Sequence, residues 1–400
     1  MFNKKTLSDM ELKNKSVIVR CDFNVPIDEK GNVTDKKRII AAMPTVKYLL
    51  DKKAKVIILS HLGRPKGKYD KAFSLAPVAK AMEKILGVKV NFIESERVVD
   101  DTVKEKVLSA EYGDVLLLEN TRFREEEKKN GPAFTEELAS LGEIFANDAF
   151  GTAHREHSSN VGIANMLPSC AGFLVEKELE IMGKAMSDAE RPFTAILGGS
   201  KVSDKIGVIK NLALKADYIL VGGGMMFTFL KALGNETGKS IVEDEQIETA
   251  ASIIEFCENL EVKIILPKDV VVADAFSNDA DFHTVKVEKM PSDMMGLDIG
   301  DETVEEFADV IAKSRTVLWN GPMGVFEMDN FAKGTLGVAN ALAESTATTI
   351  IGGEDSASAI HKFGLENKMS HISTGGGASL KLFEGGVLPG IECISDKGEL

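Results

Sequence analysis

Short apolar runs recur along the chain, each followed by a polar turn and then by a stretch with helical spacing of apolar positions. Ser16–Phe23, Lys55–Ser60, Val88–Phe92, Val115–Leu118 and Ile144–Asn147 read as strands, because short unbroken apolar runs suit strands covered on both faces. Between them, Arg38–Lys52, Leu75–Leu86 and Asp100–Leu108 carry the periodicity of amphipathic helices, and Lys66–Phe73 reads as a polar loop. Strand, loop and helix repeated in this way predict a mostly parallel sheet with helices on both faces. In such sheets ligands bind beyond the strand C-termini.

The pattern changes at Gly172–Met186, a strong helix former with apolar residues on one side. A second βα series follows: strand Phe193–Leu197, helix Lys201–Leu214, strand Tyr218–Val221, and Gly222-Gly223-Gly224 opening a helix. Then come helix Glu245–Leu260, strand Lys263–Leu266, short strands with polar turns over Val270–Val287, and helix Glu302–Lys313. Strands Thr316–Trp319, Thr348–Ile351 and His371–Ser373 and a helix after Gly377 end the series. The expected architecture is α/β: two Rossmann-like domains, each a mostly parallel sheet flanked by helices, joined by a linker helix with a cleft between them. The expected bounds are 1–171 for the first domain, 172–186 for the interdomain helix and 187–385 for the second.

The polar residues after the strands are the candidates for chemistry. Lys201 and Lys205 follow Gly198-Gly199 where a helix is expected to begin, on one face of it. Two cations beside a positive helix N-terminus call for an anion, and a phosphate chain fits. Arg64, Arg122 and Arg155 each follow a different strand of the first series, so one sheet end can gather them; the guanidinium fork suits carboxylate and phosphate. His61 stands beside Arg64. Asp22 and Asn24 can accept from a substrate hydroxyl, or simply make a turn. In the second series Gly-rich turns recur at Gly198-Gly199, Gly222–Gly224, Gly352-Gly353 and Gly375-Gly376-Gly377, which suggests backbone packed close to a large polyanion. Gly353-Glu354-Asp355-Ser356 adds the carboxylate that a phosphate-bridging Mg²⁺ needs. Glu327, in WNGPMGVFE, is placed for a ribose hydroxyl.

Charge and composition narrow the partners. The 400 residues carry a formal net charge of −14, with 44% hydrophobic and 28% charged residues. Such a chain repels nucleic acid and anionic membranes, so positive charge for anionic ligands must be gathered locally. Neither kind of partner is expected. Cys21, Cys170, Cys257 and Cys393 show no metal or redox spacing, and are read as reduced thiols of a cytoplasmic protein. The opening MFNKKTLSDMELKNK lacks the apolar core of a secretion signal. Two motif-like stretches fail: Gly234–Ser240 lacks P-loop spacing and follows a helical pattern, and Phe227 stands where a dinucleotide fingerprint after Gly222 and Gly224 requires glycine.

Taken together, VRCDFNVP (Val19–Pro26), SHLGRP (Ser60–Pro65), LLENTRF (Leu117–Phe123), AHREHSS (Ala153–Ser159), LGGSKVSDK, VGGGMMFTFL, GLDIG, WNGPMGVFE, GGEDSAS and STGGGASL resemble the phosphoglycerate kinase family along nearly the whole chain. The resemblance implies reversible transfer of the 1-phosphoryl group of 1,3-bisphosphoglycerate to ADP, giving 3-phosphoglycerate and ATP, by direct in-line transfer with Mg²⁺ and hinge closure. It implies that the first domain holds the glycerate ligand, with His61, Leu62, Gly63, Arg64, Arg122 and Arg155 around the 3-phosphate and Asp22, Phe23 and Asn24 lining the site. Arg38 would reach the migrating phosphoryl group. Lys201 and Lys205 would contact nucleotide phosphates, Gly296 would border the adenine, and Glu327 would bind ribose. Asp355 would hold Mg²⁺, flanked by Gly353, Glu354 and Ser356, and Gly375, Gly376 and Gly377 would offer amides to the phosphoryl group, so that Arg38, Lys201, Lys205 and Gly376 form the expected catalytic set. The last residues, about 386–400, would return to the first domain, and a monomer is expected.

Cys21, Ser200, Glu354 and Asp301 depart from the family's usual residues, and none removes an expected catalytic group. Glu354 places a second carboxylate beside the expected metal ligand. Three rival readings are a nicotinamide-dependent dehydrogenase, which lacks its fingerprint here, a two-domain solute-binding protein and a non-catalytic relative of the kinase.

Overall fold

The computed structural model describes residues 3–398. They divide into two compact units: residues up to Gly183 together with those from Val387 onward, and Lys184–Gly386. Met1, Phe2, Glu399 and Leu400, which fall within the expected domain bounds, lie outside the described residues.

The first unit is built on a six-stranded sheet: β1 (Ser16–Cys21), β2 (Lys55–Leu59), β3 (Val90–Ile93), β4 (Val115–Leu118), β5 (Ile144–Asp148) and β6 (Ser169–Ala171), in the spatial order β3-β4-β2-β1-β5-β6. Every pairing is parallel. Alternation along the strands explains the unbroken apolar runs. Val17 and Val19 of β1, with Val56 and Ile58 of β2, enter one core, while Ile18, Ile57 and Leu59 enter another on the opposite face. Each such side chain contributes about 1.5–3 kcal/mol on burial, and cutting Ile57 to alanine would cost about 2–5 kcal/mol. Sheet order reverses at β1, with β2 on one side and β5 on the other. Their C-terminal ends therefore diverge around one crevice.

The helix Phe173–Ser187 begins where Asp148, at the end of β5, accepts from Leu174 N (2.9 Å) and Val175 N (3.5 Å). Phe173 N donates to Thr45 Oγ1 (2.9 Å). The boundary between the units falls inside this helix, after Gly183. Residues from Val387 pack within the first unit: Asn147 Nδ2 donates to Gly390 O (2.7 Å) and Lys5 N to Ser395 O (2.8 Å).

The second unit repeats the plan. Its main sheet comprises β7 (Phe193–Leu197), β8 (Tyr218–Val221), β9 (Lys263–Ile265), β13 (Thr316–Asn320), β14 (Thr348–Gly352) and β15 (His371–Ile372), ordered β15-β14-β13-β7-β8-β9 and all parallel. The stretch expected as short strands forms an antiparallel side sheet, in which β10 (Asp269–Ala273) pairs with β11 (Phe282–Lys286) and with β12 (Met295–Ile299).

One expectation is corrected. The helix after β7 runs from Ile206 to Ala213, not from Lys201. Ser203 is drawn away from helix by Glu243, whose carboxylate accepts from its backbone N (3.0 Å) and its hydroxyl (2.5 Å). Lys205 N closes a turn onto Val202 O (2.8 Å). Lys201 and Lys205 therefore do not share a helix face: Lys205 is the N-cap and Lys201 stands exposed in the preceding loop. The helices Pro132–Ala139 and Lys333–Glu344 and the strands β6 and β12 were not resolved by periodicity.

Candidate active site

In the first unit, cationic residues collect at the C-terminal end of the sheet. Arg20, on β1, is fully buried. Its Nε donates to Ser159 Oγ (2.7 Å), Nη1 donates to Cys21 O, and Nη2 lies 3.2 Å from His61 Nδ1. His61 follows β2 and is itself buried. Burial, reinforced by Arg20, Arg122, Arg155 and Arg38, pushes its imidazole well below the ordinary value, so it is neutral near pH 7. Arg38, on the helix Lys37–Asp51, donates from Nη1 to Asp22 Oδ2 (2.6 Å), and Asp22 Oδ1 is 3.9 Å from His61 Nε2.

Arg122 follows β4 and is held by Nη1 donating to Gly63 O (2.8 Å). Its Nε is buried without a partner. Burial, then the charges of Arg20 and Arg155, lower this guanidinium to about 10. Arg155 is exposed, with Nε 3.1 Å from His154 Nε2, and Arg64 is exposed on the turn after His61. Asn24 Oδ1 accepts from Gly63 N (2.8 Å), Phe23 is buried with its N donating to Ser60 Oγ (2.9 Å), and Asn120 clamps Leu62 through Leu62 N (3.2 Å) and O (2.6 Å). The structure thus brings Asp22, Arg38, His61, Arg122 and Arg155 together and adds Arg20. A lone arginine inside an apolar strand run is the signal that identifies Arg20. Glu127 and Ser159, which support it, give no such signal: Glu127 sits in Glu125–Lys129, which reads as solvated charge.

In the second unit a cavity of about 710 Å³ opens beside the glycine turns. Phe227, Ile241 and Leu297 form its apolar walls, Gly199 and Gly224 belong to its turns, and Glu327 and Asp355 supply its carboxylates. The turns interlock: a Cβ on Gly223 (φ +66) would meet Gly199 N at 2.5 Å and Pro322 O at 2.8 Å, and one on Gly198 would meet Pro322 O at 2.1 Å. These two glycines thus serve loop-to-loop packing. Gly296 also lines the cavity, and the Phe227 ring occupies the space its Cβ would need, at 2.0 Å.

Lys205 Nζ donates to Asn320 Oδ1, and Asn320 Nδ2 donates to Gly352 O (2.9 Å). Burial holds the Lys205 ammonium below the ordinary lysine range, against the attraction of Asp204, Asp355 and Glu384. Glu354 and Asp355 are the first two residues of the helix Glu354–Lys362; both are exposed, and Asp355 lines the cavity. Ser356 is buried and its Oγ accepts from Gly321 N (2.7 Å), so it ties two loops together. Gly353 (φ +91) and Gly376 (φ +48) adopt backbone open to glycine, and Gly375 N donates to Ser373 Oγ (3.0 Å) ahead of the helix Gly377–Phe383. Among the described residues no group of three or more His, Cys, Asp or Glu side chains is placed to hold a metal. No described helix is long and apolar enough to cross a membrane.

The phosphoglycerate kinase profile matches residues 7–386. The phosphoglycerate kinase of Finegoldia magna is 53% identical over 396 residues, covering 99% of this chain and 100% of that protein. That of Clostridium botulinum is 51% identical over 397 residues, with the same coverage. Among solved structures, phosphoglycerate kinase from Coxiella burnetii superposes with a TM-score of 0.90 at 41% identity, and that from Pyrococcus horikoshii with 0.81 at 32%, each covering 98% of both chains.

Proposed function

Because this chain belongs to the phosphoglycerate kinase family, and so is a glycolytic phosphotransferase with a carboxyl-group acceptor, we propose that its first unit holds the glycerate ligand and its second holds ADP or ATP. The observation that carries this reading is the gathering of Arg20, Arg38, Arg122 and Arg155 around a neutral His61. A chain of net charge −14 collects such a patch only against its average. The orphaned Arg122 Nε is a donor in want of an acceptor, and a 3-phosphate oxygen supplies one. Arg64 and Arg155, both exposed, complete the phosphate shell. Asp22 and Asn24, with Phe23, Leu62 and Gly63 behind them, line the glycerate.

In the second unit the apolar cavity takes the base against Gly296, Glu327 takes a ribose hydroxyl, and Lys201, Lys205 and the amides of Gly376 and Gly377 face the phosphates; the expected Gly375 amide is instead committed to Ser373 Oγ. The donors at Asp355 fit Mg²⁺: an exposed carboxylate in the cavity wall, at the start of a helix, suits an ion shared with nucleotide phosphates. When bound, Mg²⁺ would neutralise phosphate charge there.

The reaction needs positioning and charge stabilisation more than covalent chemistry, since the migrating group spreads its charge over equatorial oxygens. Arg38 stabilises that charge from the first unit. Lys205, desolvated and tethered by Asn320, does so from the second, where a buried cation acts more strongly than a solvated one. In-line transfer then requires the units to close and exclude water. The enzyme works as a cytoplasmic monomer.

An assay of ATP-dependent phosphorylation of 3-phosphoglycerate, coupled to a dehydrogenase, tests the activity. Calorimetry tests the division of labour: Arg122→Ala should abolish 3-phosphoglycerate binding and leave Mg-ADP binding intact. Small-angle scattering should show a drop in radius of gyration with both ligands and much less with either alone. Equal compaction with nucleotide alone would sink the closure account.

A further inference from the structure

Glu127 is a fully buried carboxylate beside the basic basin. Its Oε1 accepts from Ser159 Oγ (2.5 Å) and Thr121 Oγ1 (3.1 Å), and its Oε2 accepts from Ser159 N (3.0 Å). His157 Nδ1 lies 3.7 Å away and Arg20 Nη2 4.0 Å away. A serine hydroxyl has one proton, and here it goes to Glu127, so its lone pairs are left to accept from Arg20 Nε at 2.7 Å. Arg20 is thereby fixed at one end by Ser159 and balanced in charge by Glu127.

The other end of Arg20 determines the state of His61. Arg20 Nη2 is 3.2 Å from His61 Nδ1. A guanidinium has no acceptor, so Nδ1 must accept, and the ring proton of neutral His61 resides on Nε2. Nε2 is the nitrogen on the Asp22–Arg38 side. The contacts form a directed chain: Glu127, Ser159, Arg20, His61.

We propose that Glu127 is a positioning residue of the basin: through Ser159 it fixes Arg20, and Arg20 fixes His61 as an Nε2–H donor toward the anionic ligand. The proposal rests on the assignment of this basin to the glycerate ligand. A phosphate or carboxylate oxygen accepts and does not donate. With the proton on Nδ1, His61 would turn a lone pair on the ligand and lose the bond.

The test is NMR of the full chain labelled with ¹⁵N-histidine, together with steady-state kinetics. Wild-type His61 should show a single neutral tautomer, with Nε2 protonated. In Glu127→Gln, Arg20 loses its counter-charge, and His61 should become a mixture of tautomers. The KM for 3-phosphoglycerate should rise about tenfold or more, the range of a lost charge-assisted hydrogen bond, while the KM for nucleotide is unchanged. A merely structural role would lower thermal stability and the active fraction but leave tautomer and KM untouched in the folded protein, and that result overturns the proposal. Should Glu127→Gln fail to fold, Ser159→Ala breaks the same chain with a smaller change and should scramble the tautomer likewise. Wild-type His61 protonated on Nδ1 overturns the proposal without any variant. Adding 3-phosphoglycerate to the wild type checks the underlying assignment separately: histidine resonances that stay in place would refute the reading of the basin, whatever Glu127 does.

Discussion

Arg38 and Asp22 meet at 2.6 Å, the arginine side chain 33% exposed and the aspartate 10%. Arg38 is anchored by one fork nitrogen and keeps the rest of its guanidinium open, as a group waiting for a second anion would. Arg38→Ala should lower kcat by about 10³–10⁵, the range for comparable transition-state arginines, with much smaller changes in either KM. Steady-state kinetics decides: a near-normal kcat with raised KM would make Arg38 a substrate-binding group only.

Asp355 lines the cavity of the second unit, and its neighbour Glu354 shares the first turn of the same helix. Asp355→Asn should weaken Mg-ADP binding by at least about tenfold, since even outer partners of a metal are worth that much. Affinity for 3-phosphoglycerate should hold. Calorimetry on Asp355→Asn and Glu354→Gln separates the two carboxylates, and the reverse ranking would move the metal to Glu354.

Asp148 is fully buried, its Oδ2 has no partner, and burial raises its carboxyl to about 7 against the ordinary 3.8. A raised folded value means that the folded state holds the proton more tightly. The stabilisation is complete below about pH 4 and is lost as pH climbs to about 7, with a slope of up to about 1.4 kcal/mol per pH unit. Asp148→Asn keeps one acceptor for Leu174 N and cannot ionise. Thermal melts from pH 5 to 8 should show a flatter decline for the variant than for wild type, and parallel curves would contradict the assignment.

Gly223→Ala and Gly87→Ala separate packing from backbone strain. Both positions have positive φ, +66 and +71, but a Cβ at Gly87 meets nothing within 4 Å, whereas one at Gly223 collides with Gly199 backbone at 2.5 Å. Gly87→Ala should cost about 1–2 kcal/mol, the left-handed penalty alone. Gly223→Ala should exceed about 4 kcal/mol and also weaken nucleotide binding. Equal losses in denaturant titrations would mean that the loops yield.

The central strands were legible because both of their faces are apolar: Val17 and Ile18 enter different cores, yet neither interrupts the run. The stretch Lys201–Lys205 misled because its conformation is decided by Glu243, forty residues away, through Ser203. The helix Pro132–Ala139 has a proline in its first turn, where the missing N–H is harmless, and its eight residues are too short for periodicity to declare it. Arg64, Arg122 and Arg155 stood out by their places after strands, whereas Arg38 lies on a helix and Arg20 inside β1. Glu127 did not stand out, since its burial arises only when residues 20, 121, 127 and 159 assemble, and no local pattern encodes that.

On the ribosome, the first unit is the earlier to be started and the later to be finished. Ser169 N and Ser395 Oγ pair at 3.2 Å, and Gly390 N donates to Ala153 O at 2.8 Å. Those partners emerge only after the whole of Lys184–Gly386 has been made, a delay of roughly 10–40 s at ordinary elongation rates. The second unit is drawn from one uninterrupted segment. Proteolysis of nascent chains stalled before Gly390 should therefore find the later-made half resistant and the earlier-made half still open along β5 and β6, an inversion of the usual order of maturation.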